Sequence, residues 1–494
     1  MAHSLEQGDY YLDRYSRVNM AQPSRHMQAG DRISLFAISW VTNRGIEQLE
    51  IRYNTTMKRL PLYLLLVVTA AATVQAADFA IPANDDGLPG EGLIVRDGWF
   101  QKLWLKKRTG WSKRVKEDQE SVVFLGDSIT QGWGDRFHGM FGDLRVANRG
   151  ISGDTTRGVL IRLQEDVLSL NPKAIVLLIG TNDIGRGMEP PAVVSNLKLI
   201  LAAIKKHNVK TPVVLCAVMP SAASKRRPKE KIKQLNSLNA KAVYGDKQIT
   251  VIDTYTLFAD ANGDAIKAEF PDLLHPNKAG YAKWAAGVKP ILATLGLTET
   301  KADDFKIEPG FESLFNGKDL TGWMIKKNVR PNAKPRKPKP GGFGRPVFKE
   351  DIDLAGKKQS PDGRYVAING RLVVTTPVEG RRFQQVWTTR QYPNDFILKL
   401  EFRATPNADS GVFIRKPQLQ CRDYSLAGPF KNLTKYKPQD WNELVVKVTG
   451  GVAHCTCNGE VLIAEFKLPE TGPIGLEGDR GQMEYRRVRV KESK

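Results

Sequence analysis

The chain has 494 residues, more than one hydrophobic core usually accommodates, so two or more domains are expected. A hydrophobic fraction of 41% with 9 Trp excludes an intrinsically disordered chain. The formal net charge is +21, but the sequence has no basic stripe with interleaved aromatic residues and no nucleic-acid-binding motif. We therefore expect no nucleic-acid partner, and we interpret the charge as that of an exported protein attracted to acidic polymers such as acidic glycans.

Residues 57–76 have the pattern of a signal peptide. Met57, Lys58 and Arg59 precede the apolar run LPLYLLLVVTAAATVQA, which ends in small residues suitable for cleavage. The run is short for a membrane span with flanks, so we expect an exported protein, secreted or periplasmic, without a stable span after processing. An uncleaved membrane anchor is the alternative. Residues 1–56 are then an N-terminal extension upstream of the true start at Met57, or else a cytoplasmic extension.

Residues 77–118 are interpreted as a linker or lead-in, and residues 119–296 alternate between strand and helix patterns. Continuous apolar runs such as SVVFLG (121–126) and AIVLLIG (174–180) are typical of parallel strands that are covered on both faces. Between the strands, apolar residues recur at helical spacing, as at 160–170 and 194–204. This alternation predicts an α/β domain with a parallel sheet and helices on both faces.

After a polar linker at 297–309 the pattern changes to short alternating strands, which predicts an all-β jelly-roll sandwich over 310–494. Asn458-Gly459 lies between two strand patterns and predicts a hairpin. The four cysteines, Cys216, Cys421, Cys455 and Cys457, are too few for a disulfide framework and lack the spacing of a zinc site. We interpret them as packing residues, with a bridge to Cys421 as the alternative, and we expect no metal and no cofactor.

Ser128 follows the first strand of the α/β domain, where open sheets of this class bind their ligands. A serine nucleophile needs a base, and His275 in PDLLHPNKAG is the best placed of the four histidines after the predicted signal peptide. Asp272 lies three residues earlier, about one helical turn, so its carboxylate is in position to fix the imidazole tautomer. The alternative for Ser128 is a simple helix cap, and His138 is a weaker rival for the base.

The oxyanion of acyl transfer needs hydrogen-bond donors, and two further strand ends supply candidates. These are the N–H of Gly153 in NRGISGDTT and the side-chain amide of Asn182 in GTND, together with the N–H of Ser128 itself. Gly150, in the same turn as Gly153, is the alternative donor. Asp127 and Asp154 are expected to accept backbone N–H groups and to have no catalytic role.

GDS at 126–128, the glycine-rich NRGISGDTT, GTND at 180–183 and DLLH at 272–275 resemble the four blocks of the SGNH (GDSL) hydrolase family. NRGISGDTT followed by GTND resembles its platelet-activating-factor acetylhydrolase-like branch. The resemblance implies a flavodoxin-like three-layer α/β/α fold over 119–296. It also implies Ser128 as nucleophile, Gly153 and Asn182 as oxyanion donors, and a triad completed by Asp272 and His275.

GFESLFNGKDLTGW (310–323) and GPIGLEGDRGQMEYRRVRV near the end of the chain resemble the 3-keto-disaccharide hydrolase domain family, whose members are concanavalin-like jelly rolls linked to sugar chemistry. Glu401 and Arg403, near Asp409 and Arg415, are interpreted either as the lining of a sugar site or as a solvated outer face.

Three functions are therefore open. The first is an exported serine esterase that removes acyl groups, acetyl in particular, from a carbohydrate. The second is a glycoside hydrolase or lyase acting on oxidised sugars in the C-terminal domain. The third is a glycan-binding protein without catalysis.

Overall fold

The computed structural model describes residues 36–42, 45–51, 79–298, 304–328 and 346–493. The predicted signal peptide at 57–76 lies outside the described residues. The chain forms two compact units, Met1–Asp78 and Phe79–Lys494. In the first unit, Phe36–Thr42 (β1) pairs antiparallel with Gly45–Ile51 (β2). Within the described ranges, no helix has the length and apolar character needed to cross a membrane.

The second unit begins with an α/β domain built on a five-stranded parallel sheet, as predicted. The order of its strands is β4-β3-β5-β6-β7. The strands are Val122–Gly126 (β3), Val146–Gly150 (β4), Ala174–Leu178 (β5), Val213–Cys216 (β6) and Ile249–Ile252 (β7). Every residue of β3, β5 and β6 is buried, which explains their continuous apolar sequences.

Helices cover both faces of this sheet. They are α1 (Gly98–Ser112), α2 (Ser128–Gln131), α3 (Thr156–Asp166), α4 (Thr181–Gly185), α5 (Pro190–His207), α6 (Lys229–Ala242), α7 (Thr254–Phe258) and α8 (Lys278–Thr294). Val123 in β3 packs with Val159 of α3 and Ile200 of α5. Its neighbour Phe124 packs in a separate cluster with Trp284 of α8. Alternate side chains of one strand therefore serve two cores, and the domain has the three-layer α/β/α architecture predicted.

Residues 304–328 and 346–493 form an antiparallel β-sandwich, also as predicted. Its strands are β8 (Glu312–Ser313), β9 (Trp323–Ile325), β10 (Ile352–Asp353), β11 (Tyr365–Ile368), β12 (Arg371–Val374), β13 (Arg381–Thr388), β14 (Phe396–Ala404), β15 (Asp409–Ile414), β16 (Gln418–Arg422), β17 (Asn442–Thr449), β18 (Val452–Cys457), β19 (Glu460–Lys467), β20 (Ile474–Arg480) and β21 (Met483–Glu492). Short 3₁₀ helices lie at Phe137–Gly139, Leu168–Leu170, Ala223–Lys225, Tyr424–Leu426 and Gly428–Asn432.

The sandwich has two sheets with one core between them. The six-stranded sheet has the order β10-β9-β13-β20-β15-β16, and the eight-stranded sheet follows β11-β12-β21-β14-β17-β18-β19 with β8 added beside β21. β18 and β19 are antiparallel neighbours joined at Asn458-Gly459, as the sequence predicts. The four cysteines are buried free thiols, so they are packing residues and the alternative bridge to Cys421 is not formed.

Candidate active site

Ser128 is the first residue of the short helix α2, directly after the carboxyl end of the central strand β3. Asp127, rather than Ser128, caps this helix, because its carboxylate accepts the N–H of Ile129 at 2.9 Å. Gly126 allows the sharp turn, since a Cβ there would lie 2.3 Å from the carbonyl oxygen of Leu178. The serine hydroxyl is therefore not occupied in capping α2.

The structure brings Ser128, His275 and Asp272 together in one hydrogen-bonded chain. His275 Nε2 lies 3.0 Å from Ser128 Oγ, and His275 Nδ1 lies 2.7 Å from Asp272 Oδ2. Of the four histidines in residues 79–493, His275 is the one in contact with this hydroxyl. A base within reach of the nucleophile and oriented by a carboxylate is the arrangement that activates a serine for acyl transfer.

Asp272 and His275 meet in a tight turn before α8. The sequence spacing predicts a helical turn here, and the structure differs from that prediction. Asp272 Oδ1 accepts the N–H groups of Leu274 at 3.0 Å and of His275 at 2.7 Å, and Leu273 has a φ of 62°. α8 begins only at Lys278, capped by Asn277. The same three-residue spacing therefore brings the side chains together through a capped turn.

The environment of Asp272 keeps its carboxylate ionised. Burial raises the pKa of this group, but hydrogen bonds from the His275 N–H, the His275 ring and the Leu274 N–H outweigh burial and lower the pKa to about 2. The negative charge is thus present at every pH used for ordinary assays. An ionised carboxylate at this position stabilises the imidazolium that forms when the histidine accepts a proton.

The loop after β4 supplies a free backbone donor at Gly153. The N–H of Gly150 is already used, because it donates to Asn148 Oδ1 at 2.9 Å. Within residues 79–298, the N–H groups of Gly153 and Ser128 have no hydrogen-bond acceptor. Gly153 has a φ of 85°, a conformation that favours glycine. These contacts favour Gly153 over Gly150 as the candidate donor.

Asn182 lies in α4, and both ends of its side-chain amide are held. Its Nδ2 donates to the carbonyl oxygen of Asp154 at 2.9 Å, and its Oδ1 accepts from Arg227 Nη2 at 2.9 Å. Arg227 also donates through Nε to the carbonyl oxygen of Thr181 at 3.0 Å. The two partners fix which way the amide points, and they leave one N–H of Nδ2 free of an acceptor in the described ranges. Sequence reasoning missed Arg227, since nothing in the local pattern KRR separates it from its neighbours.

Three buried carboxyl groups lie under the site. Asp154 pairs with Arg162 at 2.8 Å and accepts the Thr155 N–H, while Asp183 accepts both the N–H and the hydroxyl of Thr156. Burial raises the pKa of Asp127 to about 7 and the pKa values of Asp154 and Asp183 to about 6. These groups anchor the loops of the site from below.

The lead-in segment also reaches the site, which sequence reasoning missed. Trp99, in the first turn of α1, is 54% exposed, and its indole lies against Gly153, where an added Cβ would be 2.7 Å from the ring. Asp97, which precedes α1, pairs with Arg186 at 3.4 Å, and Arg186 follows α4. The start of α1 therefore forms part of the rim on the side of Gly153 and Asn182.

The charged residues considered for a sugar site in the sandwich do not form one cluster. Glu401 lies in the eight-stranded sheet and pairs with Arg486 and Arg487, each at 2.7 Å. Arg403 of the same strand pairs with Glu484. Two further members of the set lie elsewhere: Asp409 belongs to the six-stranded sheet and pairs with Arg422, and Arg415 is buried and donates to backbone carbonyls.

Comparison with known proteins confirms both resemblances. Residues 124–283 match the GDSL-like Lipase/Acylhydrolase family, and residues 310–491 match the 3-keto-alpha-glucoside-1,2-lyase-like domain. The chain thus carries a GDSL-like lipase/acylhydrolase domain, the domain of a hydrolase, followed by a 3-keto-alpha-glucoside-1,2-lyase-like domain.

Individual relatives match the hydrolase domain. Platelet-activating factor acetylhydrolase IB subunit alpha1 of Bos taurus is 27% identical over 216 residues, which is 43% of this chain and 92% of the relative. The alpha2 subunit of Homo sapiens is 27% identical over 183 residues, 36% of this chain and 79% of the relative. A GDSL-like lipase from Bacteroides thetaiotaomicron of known structure is 27% identical and covers 39% of this chain and 97% of its own, with a TM-score of 0.34.

Proposed function

We propose that the protein is an exported serine esterase that hydrolyses acyl esters, acetyl esters in particular, on a carbohydrate. The single observation that carries this proposal is the continuous hydrogen-bonded chain from Ser128 through His275 to Asp272. The names of the curated relatives favour acetyl as the acyl group. The appended sugar-lyase-like domain favours a carbohydrate as the alcohol, and the pattern at 57–76 favours export.

In the proposed reaction, Ser128 Oγ attacks the ester carbonyl while His275 Nε2 takes the hydroxyl proton. Asp272 holds the resulting imidazolium through Nδ1. The oxyanion accepts hydrogen bonds from the N–H groups of Ser128 and Gly153 and from the Asn182 amide. His275 then gives its proton to the leaving alcohol. A water molecule attacks the acyl-serine by the same route, with His275 as the base, and releases the acid.

Ser128→Ala tests the proposal. Loss of the nucleophile should lower turnover of p-nitrophenyl acetate at least about a thousand-fold and abolish covalent labelling by a fluorophosphonate. Ser195→Ala is the matched control, because this half-buried serine on α5 donates only to the carbonyl oxygen of Pro191 in its own helix. The control should label and turn over like the unmodified protein. Equal rates and equal labelling for Ser128→Ala would contradict the proposal.

A second candidate function lies in the sandwich, where one carboxyl group supports glycoside cleavage. Glu477 of β20 is only 5% exposed, and its carboxylate accepts hydrogen bonds from the side-chain amides of Gln385 and Gln418. Burial raises the pKa of Glu477 to about 7, a range suited to acid–base catalysis. Trp387 and Phe413 pack together on the same face of the sheet with ring centroids 5.1 Å apart. Cleavage of a 3-keto-glucoside by the Ser128→Ala protein would establish this activity independently of the esterase.

A further inference from the structure

Three arginines gather beside Asn182, and we call Arg186, Arg226 and Arg227 the basic rim. Arg227 donates to Asn182 Oδ1 at 2.9 Å, and Arg226 precedes it in the chain. Arg186 directly follows the helix that carries Asn182, and its N–H donates to the Asn182 carbonyl at 3.0 Å. Arg227 therefore contacts the side chain of the candidate oxyanion donor, and the charges of Arg186 and Arg226 lie within electrostatic range of Arg227.

The positive charge of the basic rim is largely unneutralised. Asp97 is the carboxylate partner of Arg186, but the two side chains are 54% and 30% exposed and 3.4 Å apart, the geometry of a weak surface pair. In the described part of the chain, Arg226 and Arg227 have no carboxylate within 4.0 Å. Burial lowers the pKa of Arg227, whereas the charge of Asp127 raises it. The charges of Arg226 and Arg186 lower the pKa of Arg227 further, which shows that these like charges lie within electrostatic range of one another.

The fold accounts for only part of this cluster. Arg227 is used structurally, since it donates to the carbonyl oxygens of Thr181 and Lys225 as well as to Asn182. Arg226 is exposed, and its backbone has a φ of 59°, a conformation uncommon for residues other than glycine. Like charges held close together cost folding free energy, so an anionic ligand that neutralises them would relieve that cost.

We propose that the basic rim binds a carboxylate on the alcohol part of the ester, so that the site acts on acylated acidic saccharides. This inference rests on the proposed function, because an acetyl group has no charge of its own and the anion must belong to the alcohol. A guanidinium group presents two parallel N–H donors that match a carboxylate. The flat face of Trp99, exposed at the same rim, offers a surface for a saccharide ring.

The test compares two aryl acetates that differ in charge, 3-acetoxybenzoate and the neutral 3-acetoxybenzamide, with acetate release by the full chain as the readout. We expect a higher kcat/KM for the anionic ester, and we expect this preference to shrink as NaCl is raised from low to high concentration. The double variant Arg186→Gln/Arg226→Gln should lower the ratio of the two kcat/KM values about ten-fold, since each exposed ion pair contributes a factor of about two to five.

Arg145→Gln is the matched control, because this exposed arginine precedes β4 at the opposite, amino end of the sheet. It should leave the charge preference as it is. If the double variant fails to fold, Arg226→Gln alone should lower the ratio about three-fold. An equal kcat/KM for the two esters, or a ratio unaffected by these substitutions, would overturn the proposal. Absence of turnover of both esters and of Ser128 labelling would instead refute the esterase function itself.

Discussion

At the scale of single residues, the buried carboxyl group of Asp127, next to the candidate nucleophile Ser128, lowers the stability of the fold. One carboxylate oxygen accepts the Ile129 N–H, but the other is buried without a hydrogen-bond partner in the described structure. Burial raises the pKa of Asp127 to about 7, and the neighbouring Asp154 and Asp183 contribute in the same direction. A charged carboxylate in this position is therefore destabilising.

This pKa predicts how stability depends on pH. Between pH 3.8, the ordinary pKa, and about pH 7, the folded protein binds a proton at Asp127 that the unfolded chain releases. The free energy of unfolding therefore falls as pH rises through this range. Asp127→Asn removes the ionisation. The free energy of unfolding of the variant minus that of the unmodified protein should therefore be larger at pH 8 than at pH 5. The increase should be a few kcal/mol, because each pKa unit corresponds to about 1.4 kcal/mol.

Urea unfolding at the two pH values measures this effect, and Asp143→Asn, at an exposed carboxyl, is the control that should leave the pH dependence unaltered. A constant difference in stability between Asp127→Asn and the unmodified protein at both pH values would show that the Asp127 carboxyl is already ionised in the folded state.

At the scale of elements, α1 has a buried face whose helical spacing is present in the sequence but is interrupted by an arginine. Phe100, Trp104, Arg108 and Trp111 recur at helical spacing and are all buried. Arg108 interrupts the apolar pattern, and it is tolerated because its Nε donates to both carboxylate oxygens of Asp166 at 3.0 Å. An arginine in the middle of an apolar pattern is typical of a surface residue, so the sequence alone does not predict this buried face of α1.

Substitutions at two tryptophans of α1 test packing and the proposed substrate contact separately. Trp104 is 1% exposed, so Trp104→Ala should lower the free energy of unfolding by about 3–5 kcal/mol. Trp99 is 54% exposed, so Trp99→Ala should change the unfolding free energy by no more than about 0.5 kcal/mol and should raise KM for a saccharide ester. Denaturant unfolding and steady-state kinetics on both variants check this. Equal destabilisation by the two substitutions would contradict the assigned positions.

At the scale of the whole second unit, the two domains meet through polar and apolar contacts. The side-chain amide of Gln482, in the sandwich, donates to the Pro290 carbonyl at 3.0 Å and to Thr294 Oγ1 at 3.1 Å, both in α8. Val378 packs against the cluster that contains Val251 of the edge strand β7. The sandwich thus contacts the α/β domain at an edge of the parallel sheet, where unpaired strands are otherwise prone to association.

Gln482→Ala tests how far this contact couples the domains. Gln482 is 2% exposed, and its loss removes the two hydrogen bonds from its amide to Pro290 and Thr294, so the unfolding free energy should fall by about 1–3 kcal/mol. In scanning calorimetry, the transitions of the two domains should also move apart. Gln391→Ala, at an exposed glutamine of the sandwich, should change neither quantity. A calorimetric profile unaltered by Gln482→Ala would show that other contacts couple the domains.

Sequence patterns predicted the fold class and the residues that meet in the candidate active site, because these depend on local order along the chain. Continuous apolar runs mark doubly covered strands, and alternating runs mark the sandwich, whatever the rest of the chain does. Ser128, Gly153 and Asn182 follow strands, and parallel strands bring their carboxyl ends to one edge. Asp272 and His275 are close in the chain and meet through local hydrogen bonds.

Tertiary structure decided the features that depend on burial and on contacts between distant segments. Arg227 reaches Asn182 from 45 residues away, and no local pattern singles it out. The raised pKa of Asp127 exists only because folding removes water from its carboxyl group. Trp99 meets Gly153 only after α1 packs on the α/β domain. Periodicity and turn chemistry depend on residues that are close in the sequence, whereas desolvation and long-range hydrogen bonds arise only when the chain has folded.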